Sequence, residues 1–541
     1  MDKPFAITLD PGSSLANHTG SWRTNRPVYL DRLPPCNDAC PAGEDIQGWL
    51  FQAESGDYEK AWRALTQDNP LPATMGRVCY HPCEGACNRA QLDLPVGINS
   101  VERFLGDEAI KQGWAFEKPG FQSGKKVLVV GAGPSGLSAA YHLAKLGHAV
   151  ELQDAGPFAG GMMRFGIPKY RLPREVLDAE VKRITEMGVV LKLNTKVEHI
   201  EQSMKAGGFD AAFLAVGAHI GKRAFIPAGS ATKILDAVSV LRSMEGEEKP
   251  LLGRRVAVYG GGNTAFDVAR TAKRLGATEA IIVYRRTREK MPAHDSEIEE
   301  AVQEGILIKW LSTIKQAGEG SITIEKMALD AKGFPQPTGE FEQLEADSVV
   351  LALGQDVDLG LLEGVGGLTV KDGVVTVGPN MMTGHPGIFA GGDMVPSERT
   401  VTVAVGHGKK AARHIDGWLR NQAYAAAPKH ELANFEKLNP WYYSEAPQQV
   451  RPTLDLVRRQ STFEEVSGGL DEKTALFEAR RCLSCGNCFE CDNCYGVCPD
   501  NAVIKLGAGL RFQFNYDYCK GCGICVTECP CGAIKMVPEE N

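Results

Sequence analysis

The sequence predicts a multidomain protein in which a central α/β body lies between two cysteine-rich ends. Its 541 residues are enough for about three or four domains of ordinary size. Two segments in the middle have the pattern strand, glycine-rich turn, helix, which is typical of parallel α/β sheets. All sixteen cysteines lie outside that middle, at 36 to 87 and at 482 to 531.

The composition is that of a globular, acidic protein. Hydrophobic residues make up 43% of the chain, charged residues 23%, and the net charge is −8, which argues against a nucleic-acid partner. No apolar run reaches the length of about 18 residues that a membrane span needs. The start, MDKPFAITLD, lacks the basic-then-apolar pattern of a signal peptide, so we expect a cytoplasmic protein.

The cysteine spacing indicates metal ligation rather than disulfides. Disulfide scaffolds are typically short and secreted. Here the cysteines are clustered with C-P and C-x₂-C spacings in a long chain. We therefore expect iron–sulfur sites, and zinc is the alternative.

Residues 1–115 are predicted to form a small helical domain. The segment DIQGWLFQAESGDYEKAWRALTQDNP has apolar residues at helical spacing, with a break near Gly56. The five cysteines of the N-terminal half lie in this region.

The first glycine turn follows the strand KVLVV and precedes a helix. In GAGPSG, Gly131 permits the tight turn, Gly133 lets the backbone approach a pyrophosphate, and Gly136 lets the helix pack on the strand. The phosphates would lie at the helix N-terminus, which favours anions. The next strand, AVELQD, ends at Asp154, an acid that can hold ribose hydroxyls. The alternative is a glycine-rich turn without a ligand.

The stretch PGIFAGGDMV resembles the late motif of two-dinucleotide flavoproteins, in which an aspartate, here Asp393, holds the ribitol of FAD. AFLAVGA and VVLALGQ resemble the segments that join the two domains of such enzymes. The resemblance implies an FAD domain at 116–235 and 350–420, interrupted by a second nucleotide domain at 236–349. Gly161 is expected beside this flavin.

The second glycine turn lies in that insert. In VAVYGGGNTAFD, Gly260 and Gly262 form the turn and Asn263 follows it. The next strand, AIIVY, ends not in an acid but in Arg285 and Arg286, which suit the 2′-phosphate of NADP(H) better than the free hydroxyl of NAD(H). The alternative is that both arginines are solvated surface charge, so NADP(H) or NAD(H) is predicted.

The C-terminal segment, 476–541, contains two C-x₂-C-x₂-C-x₃-C-P motifs. They resemble those of bacterial two-cluster ferredoxins, in which the fourth cysteine of each run serves the other cluster. The resemblance implies two [4Fe-4S] ligand sets: Cys488, Cys491, Cys494 and Cys529, and Cys519, Cys522, Cys525 and Cys498.

Residues of about 30 to 420 resemble the small subunit of glutamate synthase and the N-terminal half of dihydropyrimidine dehydrogenase. The resemblance rests on GRVC…CEGAC, GAGPSGL, GIPKYRLP, GGGNTAFD and YRR…MPA. It implies two clusters in the helical region. One of them would be held by Cys40, Cys79, Cys83 and Glu102.

The sequence departs from this family ahead of Cys36, where the usual C-x₂-C pair is missing. An R-C-L-S-C stretch instead occurs at 481–485, which suggests that Cys482 and Cys485 fold back and complete a cluster with Cys36 and Cys87. Four clusters would then leave only Cys531 without a role. The alternative is that Cys482 and Cys485 are spare thiols and that only three clusters form.

The predicted fold therefore has four parts: an N-terminal helical iron–sulfur domain, two Rossmann-like domains with the FAD domain split by the NAD(P) domain, a connector at 421–475, and an α+β domain like a bacterial ferredoxin. Hydride transfer needs no general acid or base, so no catalytic side chain is predicted. The stretch between Cys87 and Cys482 has no cysteine, which disfavours a dithiol beside the flavin.

We expect an electron-transfer flavoprotein subunit that passes electrons between NAD(P)H and iron–sulfur clusters. Its predicted partners are other redox subunits, such as those of 2-oxoacid oxidoreductases, or soluble ferredoxin. One alternative is a free-standing NAD(P)H:ferredoxin oxidoreductase, including an electron-bifurcating one. Another is a non-catalytic subunit that only conducts electrons.

Overall fold

The computed structural model describes residues 18–222, 224–228 and 233–539. The start MDKPFAITLD, from which we predicted that a signal peptide is absent, lies outside the described residues. Within them, no helix is both long enough and apolar enough to pass through a bilayer.

The described residues form the following helices and strands. The α-helices are α1 (Pro35–Ala39), α2 (Ile46–Glu54), α3 (Tyr58–Leu65), α4 (Pro72–Val78), α5 (Pro82–Gly85), α6 (Ile98–Gln112), α7 (Pro134–Lys145), α8 (Met162–Phe165), α9 (Arg174–Thr185), α10 (Ile200–Gly207), α11 (Ala237–Ser243), α12 (Asn263–Arg274), α13 (Asp295–Gln303), α14 (Val401–Leu419), α15 (Leu456–Ser461), α16 (Glu472–Ala479), α17 (Asn493–Gly496) and α18 (Ile524–Thr527). The strands are β1 (Asn25–Tyr29), β2 (Lys126–Val130), β3 (Ala149–Gln153), β4 (Val190–Lys192), β5 (Ala211–Leu214), β6 (Ile220–Gly221), β7 (Lys233–Asp236), β8 (Arg255–Tyr259), β9 (Glu279–Val283), β10 (Leu307–Lys309), β11 (Ser312–Gly318), β12 (Ser321–Leu329), β13 (Pro335–Glu345), β14 (Ser348–Leu351), β15 (Gln355–Asp356), β16 (Val370–Lys371), β17 (Val374–Val375), β18 (Ile388–Ala390), β19 (Val503–Lys505), β20 (Phe512–Phe514) and β21 (Ile534–Pro538).

The first large sheet has the strand order β18-β5-β2-β3-β4, and its neighbouring strands are parallel. Strand β2 is the apolar run KVLVV, in which every residue after Lys126 is buried. A strand covered on both faces reads as such a continuous run rather than as an alternation. Because β18 comes from much later in the chain than β2 to β5, this sheet is assembled from two separate stretches.

The second large sheet, β10-β9-β8-β14-β7, is also parallel and comes from the intervening stretch. An antiparallel meander, β11-β12-β13, forms a separate sheet that packs against it. Strands β6 and β15 pair antiparallel, so the chain leaves the first domain and returns to it side by side. The predicted multidomain architecture with two α/β sheets is confirmed, while the domain boundaries stay predictions.

The helical N-terminal region has its own core, and a helix from the far end of the chain joins it. Trp49 and Leu50 of α2, Leu65 of α3 and Leu105 of α6 are almost fully buried. Ala475 of α16 lies in the same core, so the chain returns to the N-terminal region just ahead of the C-terminal cysteines.

The two ends of the described chain also meet in a sheet, where β1 pairs antiparallel with β21. The Tyr29 ring stacks on that of Phe514, with 4.8 Å between centroids. From the sequence we predicted only helices in the N-terminal region. The segment NRPVY is too short for its sequence to predict a strand, and its partner strand β21 is more than 500 residues away in the chain.

A buried ion-pair cluster joins the domain of the second large sheet to the connector predicted at 421–475. We call this domain the nicotinamide-type domain. Glu304, fully buried, accepts hydrogen bonds from Arg270 (2.8 Å), Arg274 (2.7 Å) and Arg459 of α15 (3.3 Å). Burial raises the pKa of this carboxyl, but the hydrogen bonds from Arg274 and Arg270 outweigh it, so the pKa of Glu304 is lowered. The cluster fixes how α12, α13 and α15 pack together.

Candidate functional site

The first glycine turn has the geometry that a dinucleotide needs. Gly131 has φ +104°, and a Cβ there would lie 2.3 Å from the carbonyl oxygen of Ala215. A Cβ on Gly136 would lie 1.8 Å from the carbonyl oxygen of Gly131. Only glycine fits either position, and the N-terminus of α7 is left facing the turn.

Asp154 lies at the end of β3 beside this turn. Its carboxylate accepts hydrogen bonds from the backbone N–H groups of Ala132 (2.7 Å) and Gly156 (2.7 Å). The carboxylate is thereby held at the edge of the turn, as a ribose-binding acid would be. Its role stays a prediction.

Two distant segments converge on the same helix N-terminus. A Cβ on Gly161 would lie 2.8 Å from the Cα of Gly133, and one on Gly392 would lie 3.1 Å from the Cβ of Ser135. Asp393 follows Gly392, and burial raises its pKa to about 6 against the charge of Arg399. Among the described residues, Ser135 Oγ is a buried polar atom without a hydrogen-bond partner. This glycine-lined cradle with an orphaned hydroxyl fits FAD.

The second glycine turn repeats the arrangement. Gly260 has φ +151°, and a Cβ there would lie 2.2 Å from the carbonyl oxygen of Ala352, whereas a Cβ on Gly262 would meet no atom within 4 Å. Arg285 and Arg286 follow β9; Arg285 is exposed and Arg286 half-buried. In the described part of the chain, Arg286 Nε is buried without a hydrogen-bond partner, which fits an anion such as the 2′-phosphate.

Asn263, the first residue of α12, has an unforeseen partner. Its Nδ2 donates to Tyr80 Oη at 2.7 Å, and its Oδ1 accepts from the backbone N–H of His294 at 3.0 Å. Tyr80 belongs to the N-terminal cysteine loop, so this contact joins that loop to the second glycine turn.

The structure gathers the cysteines into four groups, which we name sites 1 to 4. No set of His, Cys, Asp or Glu among the described residues is spaced for a single metal ion, and the N-terminal groups surround small cavities instead. Site 1 contains Cys40, Cys79, Cys83 and Glu102, and site 2 contains Cys36, Cys87, Cys482 and Cys485. Site 3 contains Cys488, Cys491, Cys494 and Cys529, and site 4 contains Cys519, Cys522, Cys525 and Cys498.

Site 1 lies against the domain of the first large sheet, which we call the flavin-type domain. Thr402 Oγ1, at the start of α14, donates to Cys79 Sγ at 3.1 Å, and the backbone N–H of His81 donates to the same sulfur at 3.2 Å. Burial raises the pKa of Cys79 to about 12. A thiol of this kind becomes a thiolate only beside a strongly positive centre, so the donor set fits a metal cluster.

Sequence reasoning missed a second carboxylate at site 1. Glu44 lines the same cavity as Glu102. Asn69 Nδ2 donates to both acids, at 3.0 Å to Glu44 Oε1 and 2.9 Å to Glu102 Oε1. Burial is the main cause, and Glu44 the next, of the raised pKa of Glu102. The signal was present as an acid four residues after Cys40, but surface acids are so common that it carried no weight.

Site 2 brings together the four cysteines that we predicted to hold one cluster. Burial raises the pKa of Cys36, and the nearby thiols of Cys482, Cys87 and Cys485 raise it further, which places these four groups within reach of one another. Asn88 Nδ2 donates to Cys485 Sγ at 3.3 Å. The cavity they line suits a cluster with four thiolate ligands, and the assignment as ligands stays a prediction.

A buried arginine fixes the returning segment. Arg481, which is 2% exposed, donates to Glu478 Oε1 (2.6 Å), to Asp93 Oδ1 (3.0 Å) and to the carbonyl oxygens of Pro95 (2.8 Å) and Leu94 (2.7 Å). This one side chain ties the residue before Cys482 to the loop after the N-terminal cysteines.

Sites 3 and 4 have the crossed arrangement of the two motifs. Burial raises the pKa of Cys488 to about 11, and the nearby thiols of Cys494 and Cys529 raise it further. Cys529, the last cysteine of the second motif, therefore lies with the first three cysteines of the first motif. Cys519 in turn lies near Cys498 and Cys522. Cys491 and Cys522 are the exposed members of sites 3 and 4.

Cys531, which the sequence left without a role, is buried beside site 3. Its Sγ lies 3.8 Å from Cys529 Sγ. Burial raises the pKa of Tyr443, and the nearby thiols of Cys531, Cys485, Cys482 and Cys491 raise it further. Cys531 and Tyr443 therefore lie between sites 2 and 3.

Three family models match different parts of the chain. The pyridine nucleotide-disulphide oxidoreductase family matches residues 125–408. Dihydropyrimidine dehydrogenase domain II, a 4Fe-4S cluster domain, matches residues 25–114, and a 4Fe-4S binding domain matches residues 512–535.

Characterised relatives cover most of the chain. The beta subunit of an NADP(+)-dependent formate dehydrogenase from Moorella thermoacetica is 37% identical over 83% of this chain and 70% of its own length. The beta subunit of an NADPH-Fe(3+) oxidoreductase from Geobacter sulfurreducens is 33% identical over 84% of this chain and 76% of its own. The small chain of glutamate synthase [NADPH] from Escherichia coli is 32% identical over 71% of this chain and 89% of its own.

These matches confirm the resemblance drawn from the sequence and the predicted class of enzyme. The chain belongs to the pyridine nucleotide-disulphide oxidoreductase family and is an NAD(P)H-dependent FAD and iron–sulfur oxidoreductase.

Proposed function

We propose that this chain is the NADPH-linked electron-transfer subunit of a larger redox complex, with four [4Fe-4S] clusters at sites 1 to 4. When bound, FAD exchanges a hydride with a nicotinamide and electrons singly with iron–sulfur clusters. The residues of this chain hold those groups and set the distances between them. Arg285 and Arg286 would pair with the 2′-phosphate of NADPH.

This proposal rests on the spatial order of sites 1 to 4, which extend from the flavin-type domain towards the surface. Thr402 of α14 joins site 1 to that domain. Cys36 and Cys40 belong to sites 2 and 1 and are four residues apart in the sequence, as are Cys87 and Cys83. A segment of that length spans at most about 14 Å. Sites 1 and 2 are therefore neighbours.

The same reasoning extends to the C-terminal sites. Cys485 of site 2 is three residues from Cys488 of site 3, and Cys494 of site 3 is four residues from Cys498 of site 4. Four donor groups spaced in this way support a continuous route for single electrons from the flavin-type domain to sites 3 and 4.

An acceptor or donor would meet the chain at sites 3 and 4, where Cys491 and Cys522 are exposed. Two of the relatives are named as beta subunits of a formate dehydrogenase and of an Fe(3+) oxidoreductase. We propose a partner of the same kind, a catalytic redox subunit that works on the organic or metal substrate. A 2-oxoacid oxidoreductase subunit remains one member of this class.

The test is anaerobic reduction of benzyl viologen, a one-electron acceptor, by the purified, iron-loaded chain. We expect NADPH to support turnover and NADH to support much less. Gly262→Asp is the variant that tests nucleotide binding. Its side chain has open space in the folded protein but would place a carboxylate where a pyrophosphate would lie, so turnover should be lost. Turnover that survives Gly262→Asp, or no nicotinamide oxidation by the wild type, would refute the proposal and favour a subunit that only conducts electrons.

Anaerobic affinity purification from the native host tests the partner. Dehydrogenase or reductase subunits that elute with the chain in fixed ratio identify the complex. Elution of the chain alone, together with rapid reduction of added ferredoxin by NADPH, would instead support the free-standing NAD(P)H:ferredoxin oxidoreductase.

A further inference from the structure

Tyr80 connects the second glycine turn to site 1. Its ring stacks on the imidazole of His294, with 3.5 Å between centroids and 11° between planes. Its hydroxyl accepts the hydrogen bond from Asn263 Nδ2 at 2.7 Å. His294 precedes α13 and Asn263 begins α12, so both partners belong to the nicotinamide-type domain.

On its other side, Tyr80 is bonded in the chain to a predicted cluster ligand. Cys79 precedes it and His81 follows it, and the His81 N–H donates to Cys79 Sγ at 3.2 Å. His81 has φ 42°, a left-handed conformation that non-glycine residues seldom adopt. A rotation of the Tyr80 backbone would therefore change the N–H···S contact directly. Hydrogen bonds to ligand sulfurs are among the factors that set a cluster's reduction potential.

Asn263 completes the connection from the other direction. It directly follows Gly262, where a dinucleotide pyrophosphate would meet the N-terminus of α12. Its amide is engaged on both sides, with Tyr80 Oη and with the N–H of His294. A bound pyrophosphate that accepts a hydrogen bond from Asn263 Nδ2 would therefore compete with Tyr80 Oη for this donor.

We propose that Tyr80 is a positioning residue that couples occupancy of the NADP(H) site to the reduction potential of the cluster at site 1. The inference rests on the proposed function, because it requires both a bound dinucleotide and a cluster at site 1. Coupling of this kind is reciprocal: if NADP⁺ shifts the cluster potential, reduction of the cluster shifts the affinity for NADP⁺ by the same factor. Nicotinamide release would then depend on whether the first cluster has received its electron.

The experiment is a redox titration of the iron-loaded chain, followed by electron paramagnetic resonance, with and without saturating NADP⁺. The site 1 signal is assigned by its loss in Cys83→Ser. We expect NADP⁺ to shift the site 1 potential in the wild type. A fivefold change in affinity, the low end of typical couplings, corresponds to about 41 mV, because a tenfold change is 59 mV for one electron. In Tyr80→Phe, which keeps the ring but loses the hydroxyl, we expect most of this shift to disappear.

Tyr29→Phe is the matched control. Tyr29 Oη lies 3.1 Å from Cys494 Sγ of site 3, far from the nicotinamide-type domain in the chain. Its loss should change a different signal, and by the same amount with and without NADP⁺. The inference is overturned if NADP⁺ leaves the wild-type site 1 potential unchanged, or if the shift persists in full in Tyr80→Phe. Absence of the site 1 signal or of NADP⁺ binding in the wild type would count against the proposed function itself.

Discussion

The double variant Cys482→Ser/Cys485→Ser tests a long-range contact, the one that would complete site 2. Serine is close to cysteine in size and keeps a hydrogen-bond acceptor for Asn88 Nδ2, which now donates to Cys485 Sγ at 3.3 Å. Arg481 and its hydrogen bonds to Glu478, Asp93, Pro95 and Leu94 are untouched. The returning segment should therefore stay in place while two of the four ligands of site 2 are lost.

The expected magnitude follows from the four groups. The wild type should contain about 16 iron atoms per chain, four in each [4Fe-4S] cluster, and the double variant about 12. Iron and acid-labile sulfide are measured on anaerobically purified protein, with the flavin content as an internal reference. The signals of sites 1, 3 and 4 should remain in the paramagnetic resonance spectrum.

Cys531→Ser is the control, because Cys531 is buried next to site 3 but belongs to none of the four groups. It should keep about 16 iron atoms. An iron content of about 12 in the wild type, unchanged in the double variant, would show that Cys482 and Cys485 are spare thiols. A fall to about 8 would mean that sites 2 and 3 do not assemble independently.

Three further changes test the nucleotide sites and the interdomain cluster. Arg285→Ala with Arg286→Ala should raise KM for NADPH relative to NADH by roughly 10- to 100-fold, since charge-assisted hydrogen bonds worth about 1.5–3 kcal/mol are lost; equal effects on both would refute 2′-phosphate recognition. Gly136→Ala would place a methyl carbon 1.8 Å from the Gly131 carbonyl oxygen, so the purified protein should lack flavin absorbance, and retained flavin would contradict the predicted site. Glu304→Gln should destabilise the protein by about 3–5 kcal/mol, seen as a lower Tm, because buried Arg274 loses its paired carboxylate and Arg270 loses one of its partners. Since the folded-state pKa of Glu304 is lowered from 4.5, this stabilisation is present above that pH and is lost as the pH falls, so the two Tm values should converge in acid.

What the sequence predicted well is what depends on neighbours in the chain. The turn at Gly131 follows from a tight strand-to-helix connection, and the positive φ and close backbone contacts there require glycine. The crossed grouping at sites 3 and 4 was implied by the resemblance of the two motifs to those of two-cluster ferredoxins. The grouping at site 2 came from the R-C-L-S-C stretch at 481–485 and from counting, because Cys36 and Cys87 lacked two partners and Cys482 and Cys485 fell outside the two C-terminal motifs.

What the sequence could not provide depends on contacts between residues far apart in the chain. Glu44 and Asn69 are ordinary polar residues until folding buries them beside Glu102. Tyr80 gives no local sign that it will stack on His294 of another domain. Side chains from separate helices and loops meet at these sites through packing. Such contacts produce no periodic pattern in the sequence, so they could not be predicted from it.

The docking of the C-terminal cysteine-rich segment determines how electrons can leave the chain. Tyr516 Oη donates to the carbonyl oxygen of Pro27 at 2.8 Å, and β1 pairs with β21 along its whole length. The returning segment is fixed again at Arg481, immediately before sites 2 and 3. A domain held at both ends cannot act as a mobile carrier that swings between flavin and acceptor. Under the proposed function, electrons would therefore pass to or from a partner that docks at the exposed Cys491 and Cys522.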